Sequence, residues 1–323
     1  MSKAIVVHQH GGPEVLGIED VTVPEPGAGE IRVRHRAIGL NFIDVYYRTG
    51  LYKTELPFVP GNEAAGDVVA VGPGVREFAV GDRIVYNGPI GAYAEERVMP
   101  ADQAIPLPDD ISYEAGAAML LKGLTAYYLL HLTWPLRKGE TILFHAAAGG
   151  VGLIACQWAN AIGATVIGTV GSDDKARLAA ANGCHHTINY REENFVDRVR
   201  EITGGKGVDV VYDSIGKDTF EDSLDCLRKR GLMVSFGNAT GPVSIPNLGI
   251  LAAKGSLFVT RPTIFGYFSE RPDLLDAATQ LFKAMREGTI TPVIGQRYRL
   301  SEAAEAQSAL ENRKTTGSTL LIP

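Results

Sequence analysis

At 323 residues the chain is long for one domain and comfortable for two. With 45% hydrophobic and 21% charged residues it can fill complete cores, which excludes a disordered protein. A formal net charge of −6 argues against a protein whose main work is gripping nucleic acid.

The opening "MSKAIVVHQHGG" lacks the basic-then-apolar layout of a secretory signal. Short apolar-rich runs follow at 4–7, 31–38, 64–71 and 83–86, divided by turn clusters such as "PEPGAGE" and "GPGV". In "IRVRHRAI" arginines alternate with apolar residues, the pattern of a strand with one face in a core and one in water. Strands this short and this closely spaced predict a mainly-β, barrel-like domain. At Ser112 the pattern turns helical, with Ser112 as N-cap. The apolar stretch 115–132 is broken by Lys122 and Gly123, so it predicts a buried helix rather than a membrane span. These features together predict a soluble, cytoplasmic protein. Cys156, Cys184 and Cys226 are odd in number and widely spaced, and they predict buried thiols rather than a disulfide framework or metal cluster.

From 141 onward apolar strands alternate with helix-length segments, the strands falling at 141–145, 165–170, 186–189, 208–212, 231–236 and 256–259. Continuous apolar character in "VDVVYD" and "GLMVSFG" suits strands covered on both faces, hence an α/β, doubly wound parallel sheet of six strands. Two further helices (271–287 and 301–310) and a closing strand (318–322) complete the chain.

The first turn of that alternating unit reads "FHAAAGGVG". Against the dinucleotide fingerprint G-x-G-x-x-G it becomes Ala147-Ala148-Gly149-Gly150-Val151-Gly152, with alanine at the first glycine position. Gly149 and Gly150 leave room for a pyrophosphate against the backbone, and the helix that follows offers free N–H groups and a partial positive charge. Gly152 permits close helix–strand packing. At the end of the second strand stand Val170 and Gly171, with no carboxylate to hold a ribose 2′-OH; Ser172 and Lys175 can donate to a 2′-phosphate. Asp173 and Asp174 follow at once and suit the start of the next helix. The cofactor expected is NADPH.

On "AIGLNFIDVYYRTGLY", "PGNEAAGDVVAVGPGV", "LKGLTAYYLL", "HAAAGGVGLIACQWA", "GTVGSDDK", "INYREE" and "GSTLLIP" the chain resembles the medium-chain dehydrogenase/reductase superfamily, most of all its NADPH:quinone oxidoreductase (zeta-crystallin-like) branch. The resemblance covers essentially the whole chain. It implies a GroES-like catalytic domain from 1–123 and 262–323, and a Rossmann dinucleotide-binding domain from 124–261. Zinc alcohol dehydrogenases of the superfamily carry a cysteine and an aspartate where this chain has Asn41 and Asp44. They carry Gly-His-Glu at Gly61-Asn62-Glu63, and a further cysteine ligand at Lys122. An amide and an ammonium are poor substitutes for imidazole and thiolate, so no metal is expected. Without a Lewis acid, an acceptor that gains aromaticity or a delocalised anion on hydride delivery is the natural substrate.

The resemblance further implies a nicotinamide end between the domains, touched by Asn41, Asp44, Thr125, Phe236, Gly237 and Asn238, with Phe258 and Thr260 lining the same cleft. Gly149, Gly150 and Val151 face the pyrophosphate; Gly171, Ser172 and Lys175 face the 2′-phosphate; Tyr190 flanks the adenosine. Ser214 meets the ribose or nicotinamide, and Arg313 adds a phosphate or amide contact. For catalysis the candidates are Asn41, as polar orienter of the acceptor carbonyl, and Tyr46 and Tyr52, whose rings can stack on a quinone and whose phenols can give a proton. Tyr47 is expected to pack a domain interface instead. The leading reading is a zinc-independent NADPH:quinone oxidoreductase. Reduction of activated alkenes (enones or alkenals) and a nucleotide-dependent, crystallin-like or RNA-binding role are the alternatives. A homodimer is implied, with "GSLFVTR" as the pairing edge.

Overall fold

The computed structural model describes residues 1–323. They divide into two compact units, Met1–Leu121 with Pro292–Pro323, and Lys122–Thr291. No helix is long and apolar enough to cross a membrane.

In the first unit β1 (Ser2–Val6) pairs antiparallel with β2 (Gly17–Val21). There follow β3 (Glu30–Leu40), α1 (Phe42–Arg48), β4 (Glu63–Val71), β5 (Arg83–Asn87), β6 (Glu96–Pro100), β7 (Ala104–Pro106) and α2 (Tyr113–Tyr127), whose last residues, from Lys122, belong to the second unit. Alternation along β3 does what period two requires: Ile31, Val33 and His35 are buried, while Arg34 and Arg36 point out and pair with Glu96 and Asp67. Ile31, Val33, Ile38, Val68, Ile84, Tyr86, Tyr93 and Met99 form the core of this unit. Ser112 Oγ accepts from Ala115 N at 3.1 Å, capping α2 as expected.

Beyond α2 a π-helical turn, Tyr128–Thr133, leads into the second unit's sheet. Its elements are β8 (Thr141–Phe144), α3 (Gly150–Ile162), β9 (Thr165–Val170), α4 (Asp173–Ala181), β10 (His186–Asn189), α5 (Phe195–Ile202), β11 (Val208–Asp213), α6 (Phe220–Asp225), β12 (Leu227–Ser235), α7 (Gly249–Ala253), β13 (Phe258–Thr260), α8 (Ile264–Tyr267) and α9 (Arg271–Arg286). The sheet is parallel throughout, in the order β10-β9-β8-β11-β12-β13. That is the two-halved dinucleotide fold, with a topological switch point between β8 and β11. Leu143, Ile167, Ile188, Val211 and Met233 fill its core.

The chain then returns to the first unit through β14 (Ile294–Arg299), α10 (Ala303–Glu311) and β15 (Ser318–Ile322), giving a sheet of order β14-β15-β3-β4-β5-β7 with β6 on β3. The return begins at Pro292, not at 262: α7, α8 and α9 lie in the second unit. Leu281 of α9 packs so closely on Gly123 that a Cβ there would lie 2.4 Å from a Leu281 methyl, which explains why α9 stays with this unit.

One buried group in the first unit gives a pH prediction. His35 Nδ1 lies 2.6 Å from Ala94 O and its Nε2 lies 3.0 Å from the Tyr86 hydroxyl. A carbonyl only accepts, so Nδ1 carries the proton and Nε2 accepts from Tyr86. Burial pushes the pKa of His35 down from 6.5 to about 4, with a partly opposing pull from the Ala94 bond. As pH falls below 6.5 the unfolded chain takes up a proton that the folded chain refuses, so stability falls until pH reaches about 4. The expected loss from this residue is about 3 kcal/mol. Urea unfolding at pH 7.5 and pH 4.5 checks it: the gap between the two stabilities narrows by about 2 to 3 kcal/mol in His35→Gln. An unchanged gap assigns the acid sensitivity elsewhere.

Candidate active site

The first unit brings Asn41, Asp44, Tyr46 and Tyr52 together at the start of α1. Asn41 is the N-cap, in extended backbone with φ −134°. Its backbone N–H donates to Asp44 Oδ2 at 2.9 Å, the backward reach of a capping box. Its side-chain amide donates to Glu63 Oε2 at 2.8 Å and to Gly39 O at 3.2 Å. Glu63 can only accept, and it also takes the Leu121 N–H at 2.6 Å. Both amide protons of Asn41 therefore face protein acceptors, and its side-chain oxygen faces the Asp44 backbone N–H as the other half of the capping box, with a second lone pair left over. In this arrangement Asn41 offers a ligand an acceptor, for an amide N–H or a hydroxyl, rather than a donor.

Asp44 is fully buried. Its Oδ2 accepts from the Tyr93 hydroxyl at 2.9 Å as well as from Asn41. Gln307 reaches the same hydroxyl at 3.4 Å, and Gln307 Oε1 in turn accepts from Arg48 Nη1 at 2.7 Å. Arg48 closes the series with a two-pronged pair to Glu311 at 2.8 and 2.9 Å. Asp44 thus sits within an internal network that orients Asn41. Glu63, Tyr93, Gln307 and Arg48 were not among the expected site residues. The Asn-x-x-Asp spacing at 41–44 was the one local sign that Asp44 turns inward.

Phe42, Tyr46 and Tyr52 form an aromatic series, with ring centroids 5.6 Å apart for Phe42–Tyr46 and 5.2 Å for Tyr46–Tyr52. Tyr52 N donates to Tyr46 O at 3.0 Å, which fixes the loop. Tyr46 is buried, while Tyr52 is partly exposed. Tyr47 packs against the core of the unit, and burial raises its pKa. Arg313 is exposed, follows α10 and takes a left-handed φ of 58°.

In the second unit the glycine turn closes as its spacing predicts. Strain falls on Ala146, at φ 55°, while Ala147 avoids positive φ, so alanine is accepted at the first fingerprint position. Gly149 is the N-cap of α3 and no side chain caps that first turn, which leaves N–H groups open at the helix start. A Cβ on Gly152 would lie 2.4 Å from Ala146 O and 2.7 Å from Ala147 O, so only glycine lets α3 lie this close to the turn. Val151 lies in the same first turn of α3, partly exposed.

At the β9 exit a Cβ on Gly171 would meet the Tyr190 hydroxyl at 2.7 Å, so Gly171, Ser172, Lys175 and Tyr190 share one corner. Ser172 caps α4, its Oγ accepting from Lys175 N at 3.4 Å. Of the two acidic residues, Asp173 accepts from Asn189 at 3.2 Å, beside the same corner, and Asp174 pairs with Arg177.

At the β11 and β12 exits Ser214, Phe236, Gly237 and Asn238 are brought together. A Cβ on Gly237 would lie 2.5 Å from Ser214 O, and Phe236 N donates to Asp213 O at 2.8 Å. Thr260 pairs with Val234, just below that exit. Phe258 pairs with Leu232, two residues further down the sheet, and is 58% exposed on its edge. The structure therefore separates Phe258 from the exit loops. Thr125 is buried in the last turn of α2.

Two family models match, "Alcohol dehydrogenase GroES-like domain" over residues 27–109 and "Zinc-binding dehydrogenase" over residues 150–284. A quinone oxidoreductase of Pseudomonas aeruginosa is 56% identical, with all of both chains covered. The chain belongs to the quinone oxidoreductases of the medium-chain dehydrogenase/reductase superfamily. This family's solved structures include the Escherichia coli quinone oxidoreductase complexed with NADPH, which superposes with a TM-score of 0.97 at 53% identity over 99% of this chain and 100% of that one. A 2-haloacrylate reductase of a Burkholderia species is 47% identical over 100% of this chain and 99% of its own.

The zinc in the name of one matching model does not fit this chain. No group of three or more His, Cys, Asp or Glu side chains is placed to hold a metal ion. Of the positions expected from zinc enzymes, Asn41 and Asn62 offer neutral amides whose nitrogens donate to Glu63 and to Gly88 O, Lys122 an ammonium, and Glu63 a carboxylate whose oxygens already accept from Asn41 and Leu121. NADPH does fit. The uncapped start of α3 and the close backbone approach that Gly152 allows leave N–H groups and space where a dinucleotide pyrophosphate needs them.

Proposed function

We propose that the chain reduces quinones with NADPH, without a metal. The observation that carries this is the full-length identity of 56% to a quinone oxidoreductase. Bound NADPH supplies the hydride. In the second unit, Gly149, Gly150 and Val151 at the start of α3 receive the pyrophosphate, and Ser172 and Lys175 hold the 2′-phosphate. Gly171 and Tyr190 shape the adenosine corner, and Ser214, Gly237 and Asn238 offer backbone and amide groups toward the nicotinamide half. Thr125, Phe236, Thr260 and Arg313 remain candidate contacts.

Asn41 Oδ1 is then the acceptor for a carboxamide N–H, held in place by Glu63 and Asp44. With the amide protons of Asn41 committed, the phenols of Tyr46 and Tyr52 are the donors on that side chain face that can steady the oxygen on which charge develops. Tyr52, the partly exposed ring of a pair tilted by 59°, offers a face against which a quinone stacks. Reduction of an activated alkene is the second reading, favoured by the 47% identity to a 2-haloacrylate reductase.

Initial rates on a quinone panel and an enone panel, each with NADPH and NADH, test both readings. Higher kcat/KM on quinones with NADPH is expected, and higher kcat/KM on enones moves the assignment to the second. In the same assay Lys175→Ala raises KM for NADPH about tenfold and leaves NADH within about twofold, because it removes one charge-assisted phosphate contact. Equal losses for both nucleotides would remove Lys175 from the 2′-phosphate site. We further infer a cytoplasmic homodimer that pairs through the outer edge of β13, where the sheet ends and Phe258 is exposed. Sedimentation at monomer mass overturns that part.

A further inference from the structure

His145 follows β8 directly and none of the roles above uses it. It is 1% exposed and stands between two strand exits. Its Nδ1 is 2.9 Å from Thr169 Oγ1 on β9, and its Nε2 is 2.9 Å from Ser223 Oγ on α6. Ser223 Oγ donates to Asp213 Oδ2 at 3.3 Å, beside Thr219 Oγ1 at 2.7 Å. The other oxygen, Asp213 Oδ1, accepts from Ile215 N at 2.7 Å and Gly216 N at 3.1 Å. Phe195 closes the ring from the side, edge to face at 5.1 Å.

The order of donors fixes the tautomer. Asp213 accepts four hydrogen bonds, so the single hydroxyl proton of Ser223 points to it. Toward His145, Ser223 can then only accept, which puts the ring proton on Nε2. The bare Nδ1 accepts from Thr169. Burial pushes the pKa of His145 down, against a smaller upward pull from Asp213, which keeps this neutral form.

Both ends of this series touch the nucleotide turns. Thr169 O accepts from Ala147 N at 3.1 Å, inside the glycine turn, and Thr169 lies two residues before Gly171. Asp213 pins the backbone of the Ser214–Gly216 loop, on which Gly237 rests. We propose that His145 is a positioning residue that spans the switch point and holds the adenosine-side exit of β9 and the nicotinamide-side exit of β11 in one register, so that the two halves of NADPH bind as a unit. This rests on the nucleotide-binding reading above.

The test measures Kd for NADPH and for 2′,5′-ADP, the adenosine half, by calorimetry on the full chain, its His145→Asn and Ser223→Ala variants, and the same set for thermal unfolding. His145→Asn retains an acceptor toward Thr169 and loses the reach to Ser223; Ser223→Ala cuts the same link while Thr219 still serves Asp213. Both variants are expected to lose about tenfold in NADPH affinity and less than about twofold in 2′,5′-ADP affinity, the effect of one buried hydrogen bond acting on one half. NADPH affinity within about twofold of the parent in either folded variant, or equal losses for NADPH and the fragment, overturns the proposal. A parent that fails to bind NADPH overturns the nucleotide reading itself. If His145→Asn does not fold, Ser223→Ala decides alone.

Discussion

A Gly152→Ala protein binds NADPH at least about a hundredfold more weakly than the parent, the effect of moving a binding element by roughly an ångström. The new Cβ would sit 2.4 Å from Ala146 O and 2.7 Å from Ala147 O. Both contacts are backbone, so no side chain can swing aside. Ala146 is already at positive φ, which leaves the turn little freedom to yield. The helix must therefore move, carrying away the N–H groups at its start. The overpacking also costs about 1 to 3 kcal/mol of stability. Fluorescence titration with NADPH and a thermal melt check the two effects, and parental affinity in a folded variant would contradict the role given to this turn.

The second large effect concerns Arg48 and Glu311. Arg48 is 1% exposed and the Glu311 side chain 30%. Removing the carboxylate strands a buried guanidinium, so Glu311→Ala is expected to cost about 3 kcal/mol. Gly11 O and Gln307 Oε1 still accept from Arg48, which holds the loss toward the lower end of that range. Adding Arg48→Met removes the stranded charge, and the double variant should recover part of the loss despite carrying two changes. Urea unfolding of the parent, Glu311→Ala, Arg48→Met and the double variant measures this. A double variant less stable than Glu311→Ala by the full cost of a second lesion would show that the charge is not the cause. The pair also anchors α1 to α10, so quinone turnover should fall with stability when either partner goes.

The dinucleotide fold was legible because its signals are local and physical: apolar runs at regular spacing, and a glycine turn whose backbone demands no other residue. β2 and β14 were not legible. "GIEDV" and "IGQRYR" are polar or half-exposed strands at sheet edges, where the pairing partner rather than the sequence decides the conformation. The charged start of β12, "LRKRG", likewise reads as a loop. The assignment of 262–291 to the first unit failed because periodicity reveals an apolar face but not which core receives it. In the candidate site, residues 41–52 are close in sequence and fall together in the fold, yet the donor count at Asn41 needed Glu63 and Gly39 in place. The His145 series joins residues 145, 169, 213 and 223, which no spacing rule connects.

β15 lies inside its sheet, between β14 and β3, with Leu320 opposite Gly39. A ribosome therefore releases β3 long before the strand that covers its edge exists. The second unit, continuous in sequence, can complete its own sheet during that interval, whereas the first waits with an open template for foreign strands. Vectorial synthesis thus makes chaperone demand, and any tendency to aggregate, a property of the split unit rather than of the nucleotide fold.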